Sequence, residues 1–302
     1  MVENKYVGSI EAGGTKFILA VQDTETGKIV AKKRIPTTDA KETLAKSIEF
    51  FKEHPVAALG IGTFGPIDIN PNSRTFGYIL DTPKRGWSGT NVKGTFEKEL
   101  GIPVVMTTDV NASCYGEYIA RGKDDSKTYF YVTIGTGVGA GAVQAGKFIG
   151  LNNHPEMGHM LVTPYPGDNY TGKCPFHGNK CVEGMAAGPS LEGRTGIPGE
   201  KLPRDHKVFT YVSYYVAQLL FNAYMTMRPD VMVVGGSVLN DQDLVQVRGF
   251  FREFNNNYVA TPDVDELIVR PAVEDNGSAT LGDFELAKEA LKNGCLSNPV
   301  DE

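Results

Sequence analysis

Nowhere in the 302 residues is there an apolar run near the ~18–20 residues that a bilayer-spanning helix needs, so no membrane span is expected. The opening residues, MVENKYVGSI, show no cationic stretch leading into an apolar one, and no secretory leader is read from them. Basic runs are missing too. The formal charge is −6, and no basic stretch interleaved with aromatics offers a face to nucleic acid. Cysteine is scarce, four in the whole chain, which excludes a disulfide-stapled scaffold and points to a reducing, cytoplasmic setting. Two nucleotide motifs are also absent. No G-x-x-x-x-G-K-[ST] loop occurs, and Gly135-Thr136-Gly137 fails the dinucleotide fingerprint because Ala140 takes the third glycine position. What remains is an ordinary globular composition, 41% hydrophobic and 22% charged, in a chain long enough for one large domain or two ordinary ones.

The scarce residues are concentrated. The stretch 154–184, HPEMGHMLVTPYPGDNYTGKCPFHGNKCVEG, holds three of the five histidines and two of the four cysteines. Its turn-rich composition marks a long loop, and loops of that length are usually functional or disordered. Cys174, His177 and Cys181, with His159 upstream, make two thiolates and two imidazoles, a set suited to tetrahedral Zn²⁺. Four protein ligands leave no open position, so a structural ion is expected rather than a catalytic one. A disulfide or a bare thiol pair is the competing reading. A metal gripping His159 would also fix Glu156, so the expected role is to tie down a loop that presents polar groups to a substrate.

Along the chain, strands are expected at 6–10, 17–21 and 28–35, with a helix after Thr38 and Asp39. A buried strand at 56–61 runs into a loop from Gly62 to Pro66. A helix at 90–100, a strand at 103–107 and a helix at 111–121 follow. The pattern then restarts: strand 128–134, glycine turn, strand 140–144, and a third strand from Phe148. Helices are expected at 189–194, 206–227, 244–258 and 278–292, with strands at 231–234 and 267–269. This reads as a duplicated α/β unit, each half a mixed sheet with helices on its faces. The boundary falls in the polar stretch 121–127, giving lobes 1–122 and 123–284, with the loop 154–184 in the second. A C-terminal helix at about 285–302 is expected to pack back on the first lobe.

Each half carries one glycine turn, Glu11-Ala12-Gly13-Gly14-Thr15-Lys16 and Gly135-Thr136-Gly137-Val138-Gly139. Glycine permits close backbone approach and consecutive N–H groups make an anion nest; ordinary hairpin turns favour glycine as well. Their equivalent places in a repeat favour two halves of one phosphate clamp, to which Thr15 and Lys16 add a hydroxyl and a cation. Glu11 could orient Mg²⁺ through water. Asp109 follows a strand and precedes a helix, where it could accept a proton from a hydroxyl nucleophile or serve as a helix cap. Gly235-Gly236-Ser237 closes a buried strand and could pass along an adenosine, or be a plain strand-end turn.

Jointly, these motifs resemble the ROK family of sugar kinases, with the actin-like ATPase (ribonuclease H-like) fold, two lobes around a cleft and a zinc-binding loop. The resemblance spans essentially the whole chain. The two glycine turns are similar to the family's phosphate motifs, Thr108-Asp109-Val110-Asn111-Ala112 to its catalytic-aspartate motif, Glu156-Met157-Gly158-His159 to its E-x-G-H sugar motif, and 174–183 to its zinc motif. Three departures resemble the fructokinase branch: Glu11 in place of Asp, Thr108 in place of Asn, and Phe176 in place of the middle cysteine, with His177 supplying the ligand.

The resemblance implies phosphoryl transfer from MgATP to a sugar hydroxyl, with D-fructose O6 favoured over mannose, glucose or an N-acetylhexosamine. Asp109 would take the hydroxyl proton. Gly65, Pro66, Thr108, Glu156, His159 and Glu183 would line the sugar site. Glu11, Gly13, Gly14, Thr15, Lys16, Thr133, Gly135, Thr136, Gly137, Gly235 and Gly236 would hold the nucleotide and its Mg²⁺. His159, Cys174, His177 and Cys181 would bind Zn²⁺, with lobe closure excluding water and a homodimer as the assembly. The other reading is a sugar-sensing regulator. Family repressors carry a helix-turn-helix before the first phosphate motif, for which a first strand at about Tyr6 leaves no room.

Overall fold

The computed structural model describes residues 5–274 and 277–293. They form two compact units, the first comprising 5–122, 150–154, 273–274 and 277–293, the second 123–149 and 155–272.

The first unit opens with β1 (Tyr6–Ala12), β2 (Lys16–Asp23) and β3 (Ile29–Pro36), an antiparallel meander, followed by α1 (Ala40–Glu53). Then come β4 (Leu59–Thr63), the short strands β5 (Tyr78–Ile79) and β6 (Thr90–Asn91), α2 (Val92–Leu100), β7 (Val104–Thr108) and α3 (Asp109–Ala120). The sheet order is β3-β2-β1-β4-β7, with β1, β4 and β7 parallel. Alternation along β1 divides the core, as side chains in a strand point to opposite faces. Ile10 and Ala12 pack with Phe17, Leu19, Leu44, Phe51 and Trp87 on one face, while Val7 packs with Phe284 and Ala287 on the other.

The second unit repeats the plan. Strands β8 (Thr128–Ile134), β9 (Val138–Gln144) and β10 (Lys147–Phe148) form an antiparallel run. After the long loop come α4 (Val182–Ala186), α5 (Pro189–Thr195), α6 (Val208–Met227), β11 (Val231–Gly235), α7 (Asp241–Asn255), α8 (Val264–Leu267) and β12 (Ile268–Val269). The sheet order is β10-β9-β8-β11-β12, with β8, β11 and β12 parallel. Position for position this is the order and sense of the first sheet. The long α6 is apolar on nearly all sides because α4, α5 and α7 enclose it, and no described helix is long and apolar enough to cross a membrane.

The last helix, α9 (Ser278–Asn293), belongs to the first unit. Small residues let it press close. A Cβ on Gly60 would meet the Asp283 carbonyl at 1.9 Å, one on Gly116 the Ser278 carbonyl at 1.9 Å, and one on Gly282 the Ala112 carbonyl at 2.0 Å. The helix begins seven residues before 285, and residues 294–302 lie outside the described part of the chain.

Several expected boundaries shift, each for a local reason. Gly62 and Thr63 belong to β4, so the loop starts at Phe64. The helix expected from 90 starts at Val92, because Asn91 caps it and accepts from the Gly94 amide. The helix expected from 244 starts at Asp241, where Asn240 and Asp243 form a reciprocal capping box, and ends at Asn256 in a left-handed conformation. Three short elements carry too little periodicity to be seen in advance: β5, α4 and α8.

Candidate active site and metal centre

The four soft-metal candidates converge. Cys174 Sγ lies 3.7 Å from His159 Nδ1 and 3.6 Å from His177 Nδ1, and Cys181 Sγ lies 3.8 Å from His159 Nδ1. All four ligand atoms fall within 4.8 Å of one another. A tetrahedral ion with bonds of about 2.3 Å to sulfur and about 2.1 Å to nitrogen separates its ligands by about 3.5–3.8 Å, so the donor set fits such an ion. Both cysteines are free thiols, which sets aside the disulfide reading. Phe176, at the position of the family's middle cysteine, is 75% exposed, while its neighbour His177 turns into the cluster.

The turns that build this knuckle use backbone rather than hydrophobic packing. The His177 amide donates to Cys174 Sγ and the Gly184 amide to Cys181 Sγ, each at 3.4 Å. Gly172 adopts φ +80° where a Cβ would strike the Gly178 carbonyl at 2.0 Å, so only glycine closes the turn. Burial pushes the Cys181 thiol up to about 11 against the pull of the Gly184 amide; a bound dication reverses that preference by taking the thiolate.

His159 has a second face. Its Nε2 lies 3.9 Å from Glu183 Oε1, and Glu183 Oε2 accepts from the Val138 amide at 3.1 Å. One carboxylate thus stands between the imidazole of the cluster and the residue following Gly137. Gly158 allows the E-x-G-H segment to lie against β9, since a Cβ there would meet the Val138 carbonyl at 1.7 Å. Glu156, three residues ahead of His159, is exposed.

Both glycine turns join antiparallel strands. The Gly13 amide donates to the Lys16 carbonyl at 3.0 Å and the Gly135 amide to the Gly137 carbonyl at 2.9 Å, so those two donors are spent closing their own turns. The anion-nest expectation therefore narrows to Gly14-Thr15 and Thr136-Gly137. Gly13, Gly14, Gly135 and Gly137 are absent from the positive-φ glycines, so the primed hairpin turns that demand glycine are not what keeps them. Around Gly14 and Gly135 a Cβ would meet nothing within 4 Å. Neither a positive φ nor packing requires glycine at these two positions.

In the second unit, Gly188 donates to the Gly135 carbonyl at 2.7 Å, and Gly236, at φ +85°, passes so close to β8 that a Cβ would meet the Ile134 carbonyl at 2.2 Å. Gly235, Gly236 and Gly188 therefore gather at the ends of β8 and β11 with the second glycine turn, Thr133 lying half-buried in β8 just before it. Gly188 is one residue that sequence reasoning missed; its neighbour Pro189, opening a helix, was the signal.

In the first unit, the β7–α3 junction bears on the capping reading of Asp109. Thr108 caps α3, its hydroxyl accepting from the Asn111 amide at 3.1 Å. Asp109 is the first helical residue, its Oδ1 accepting from the Val110 amide at 2.9 Å, so the capping role falls to its neighbour. Gly62 lets α3 and Asp283 lie close against β4: a Cβ there would meet Ala112 at 2.7 Å, Asp283 Oδ1 at 3.0 Å and Asp109 Cα at 3.4 Å. Gly65-Pro66 is a cis peptide in the loop after β4, where the Ile67 amide and carbonyl both meet His154 Nε2, at 3.3 and 3.0 Å.

Glu11 stands on β1 opposite Gly62, where burial raises its carboxyl while Lys16 and Lys32 pull it down. Sequence reading did not single out Asp283. It is fully buried on α9, where it accepts from Ser9 Oγ at 3.3 Å. Burial, then the charges of Glu11 and Asp109, raise its carboxyl well above the ordinary range. An unfolded aspartate is ionised above about pH 4, so folding above that pH takes up a proton, and stability falls as pH rises toward the folded value. Asp283→Asn keeps the shape without that cost. The variant is expected to unfold about 3 °C or more above the parent at pH 8 and less so at pH 5; equal midpoints at both would show an ionised, compensated carboxylate.

A duplicated sheet with a glycine turn in each half, an aspartate at a strand end and a Cys/His cluster beside a glutamate define a kinase of the actin-like ATPase fold. The family model described as the ROK family matches residues 7–290, and the chain belongs to that family. It is 48% identical over 285 residues to a fructokinase of Lactococcus lactis subsp. cremoris, covering 93% of this chain and 97% of that protein. It is likewise 48% identical over 292 residues to a fructokinase of Streptococcus mutans, with 95% and 98% covered. Among solved structures it is similar to the ROK hexokinase of Thermus thermophilus, with a TM-score of 0.75 at 23% identity, covering 96% of this chain and all of that one.

Proposed function

We propose that this protein is an ATP-dependent hexose kinase that phosphorylates D-fructose at O6. The observation that carries the reading is its likeness, at close to half of all aligned positions and over nearly the whole chain, to proteins that are fructokinases.

The site chemistry supports it. In phosphoryl transfer the protein supplies position and charge rather than covalent chemistry. Asp109 would accept the O6 proton as the new O–P bond forms and the bond from the terminal phosphorus to its bridging oxygen breaks, releasing ADP. Its carboxylate sits at a helix start, where the Val110 amide donates to Oδ1 and orients the group. Lys16, Gly14 and Thr15 in the first unit and Thr136 and Gly137 in the second would bind phosphate oxygens, with Gly235 and Gly236 beside the nucleoside. Mg²⁺ arriving with ATP supplies charge neutralisation, and Glu11 would orient it through water.

Glu156, His159 and Glu183 would hold sugar hydroxyls, and Gly65, Pro66 and Thr108 are the sugar-site residues proposed in the first unit. The 3.9 Å between His159 Nε2 and Glu183 Oε1 is too long for a direct hydrogen bond, and a hydroxyl can bond to both. A zinc ion on His159, Cys174, His177 and Cys181 would supply rigidity to the segment carrying these groups. Homodimer assembly and a cytoplasmic location complete the reading, the first from the family resemblance, the second from the low cysteine count of the sequence.

Coupled ADP release measured over a hexose panel tests it. Fructose is expected to give the highest kcat/KM, with mannose, glucose and N-acetylhexosamines at least about tenfold lower, because a hydroxyl left without its buried partner is rejected strongly. No hexose-dependent ADP release would remove the reading.

A further inference from the structure

We propose that Lys84 is a further phosphate-positioning cation of the first glycine turn, its ammonium held against the Gly14 carbonyl so that it meets the phosphoryl group being transferred. This rests on the kinase reading for the identity of that group, but its geometry stands by itself.

Lys84 lies in the loop 80–89, which the sequence reading passed over. That loop is pinned at several points. The Leu80 amide donates to the Pro66 carbonyl at 2.8 Å, and Thr82 Oγ1 to the Gly65 carbonyl at 3.3 Å. Trp87 is fully buried, donates from its indole to the Thr38 carbonyl at 2.8 Å, and packs on Phe17 and Phe64 with ring centroids 5.5 and 5.3 Å away. Phe17 is the residue after Lys16, so the tryptophan locks the loop to the same hairpin that carries the glycine turn. Three residues before this anchor, the Lys84 ammonium reaches back and donates to the Gly14 carbonyl.

The placement is odd for a structural contact. Gly14 is exposed, its Cβ space is empty, and Lys16 already brings a cation to the turn. A long side chain gives up rotamer freedom to reach one neutral carbonyl, and a second cation at the same turn is unfavourable until an anion arrives. An ammonium has three donors. One on the carbonyl aims the group and leaves two for phosphate oxygens. Either the terminal phosphate of the nucleotide or the phosphate of the hexose product offers that chemistry.

Calorimetric affinities for AMP-PNP, AMP and fructose 6-phosphate, compared between the protein and Lys84→Met, separate the outcomes. The methionine keeps the apolar stem and removes the charge. AMP-PNP is expected to bind about 10–100-fold more weakly with AMP unchanged, the size of a lost charge-assisted hydrogen bond. Selective loss of the hexose phosphate instead assigns Lys84 to the product side and also supports the proposal. Lys84→Arg is expected to recover most of the affinity, whereas a tether alone would not need the charge. AMP-PNP and fructose 6-phosphate affinities both within twofold of the parent in Lys84→Met overturn it, as does equal weakening of AMP. Should Lys84→Met fail to fold, Lys84→Gln replaces it under the same criteria. These bindings are read without turnover, so an absence of hexose-dependent ADP release in the parent would sink the kinase reading and leave Lys84 judged separately.

Discussion

Asp109→Asn is expected to lower kcat by at least about 10²-fold, the usual contribution of a positioned general base, while hexose and nucleotide affinities stay within a few-fold. The geometry makes this variant unusually clean. Thr108, not Asp109, caps α3, so the helix keeps its start. The Val110 amide that now donates to Asp109 Oδ1 finds an equivalent oxygen on asparagine. The unfolding midpoint should therefore move little. A drop in kcat without a drop in stability or binding locates the loss in proton transfer. An unchanged kcat would instead leave Asp109 a structural residue at a helix start. Stopped-flow ADP release at saturating fructose and ATP is the measurement, because it reads the chemical step rather than KM.

The second large effect is expected at the Cys/His cluster. Cys174→Ser should reduce bound zinc from about one ion per chain to a small fraction of that, since loss of one soft ligand from a four-ligand site weakens it by orders of magnitude. Cys174 and Cys181 are buried, and their sulfurs accept amides of the turns that shape the knuckle. Residues 157–170 stay anchored without an ion, by apolar packing of Met157, Met160, Val162, Tyr165 and Tyr170 on the second core and by the Asp168–Arg194 pair, so the loss falls on the knuckle itself. Residues 171–180 form no helix or strand, so proteolysis there should become fast. Fructose affinity should fall by about tenfold or more, because His159 and Glu183 lose their fixed positions, as mutation of groups supporting a metal site commonly does. The discriminating case is a variant that loses turnover while fold, loop protection and sugar affinity persist. That pattern would make the metal a participant in the chemistry, and the structural account of it would fall.

Some of this was legible in order along the chain. The strand–turn–strand–turn–strand pattern recurs because each half solves the same packing problem, and period-2 alternation reports which residues face a core. Cys174, His177 and Cys181 lie within eight positions, so covalent connectivity nearly forces their proximity. Capping chemistry was harder. Asp109 and Thr108 are both good caps by type, and only the β7–α3 geometry selects the threonine. Asp283 and Lys84 carried no local signal at all. One is an ordinary acid in a helix, the other a lysine in a turn-rich loop.

The sequence by itself determined the repeat, the two glycine turns, the ligand set of the cluster and the family, because each depends on residue type and short-range spacing. The tertiary structure alone decided which nitrogen of His159 faces the sulfurs, that Glu183 stands between that imidazole and the Val138 amide, that Asp283 is sealed behind Gly60 and Gly62, and that Lys84 reaches Gly14 across 70 residues of chain. Such pairings arise from close approach of elements distant in sequence. Missing Cβ atoms permit that approach and buried anchors such as Trp87 hold it, so no pattern along the chain encodes it.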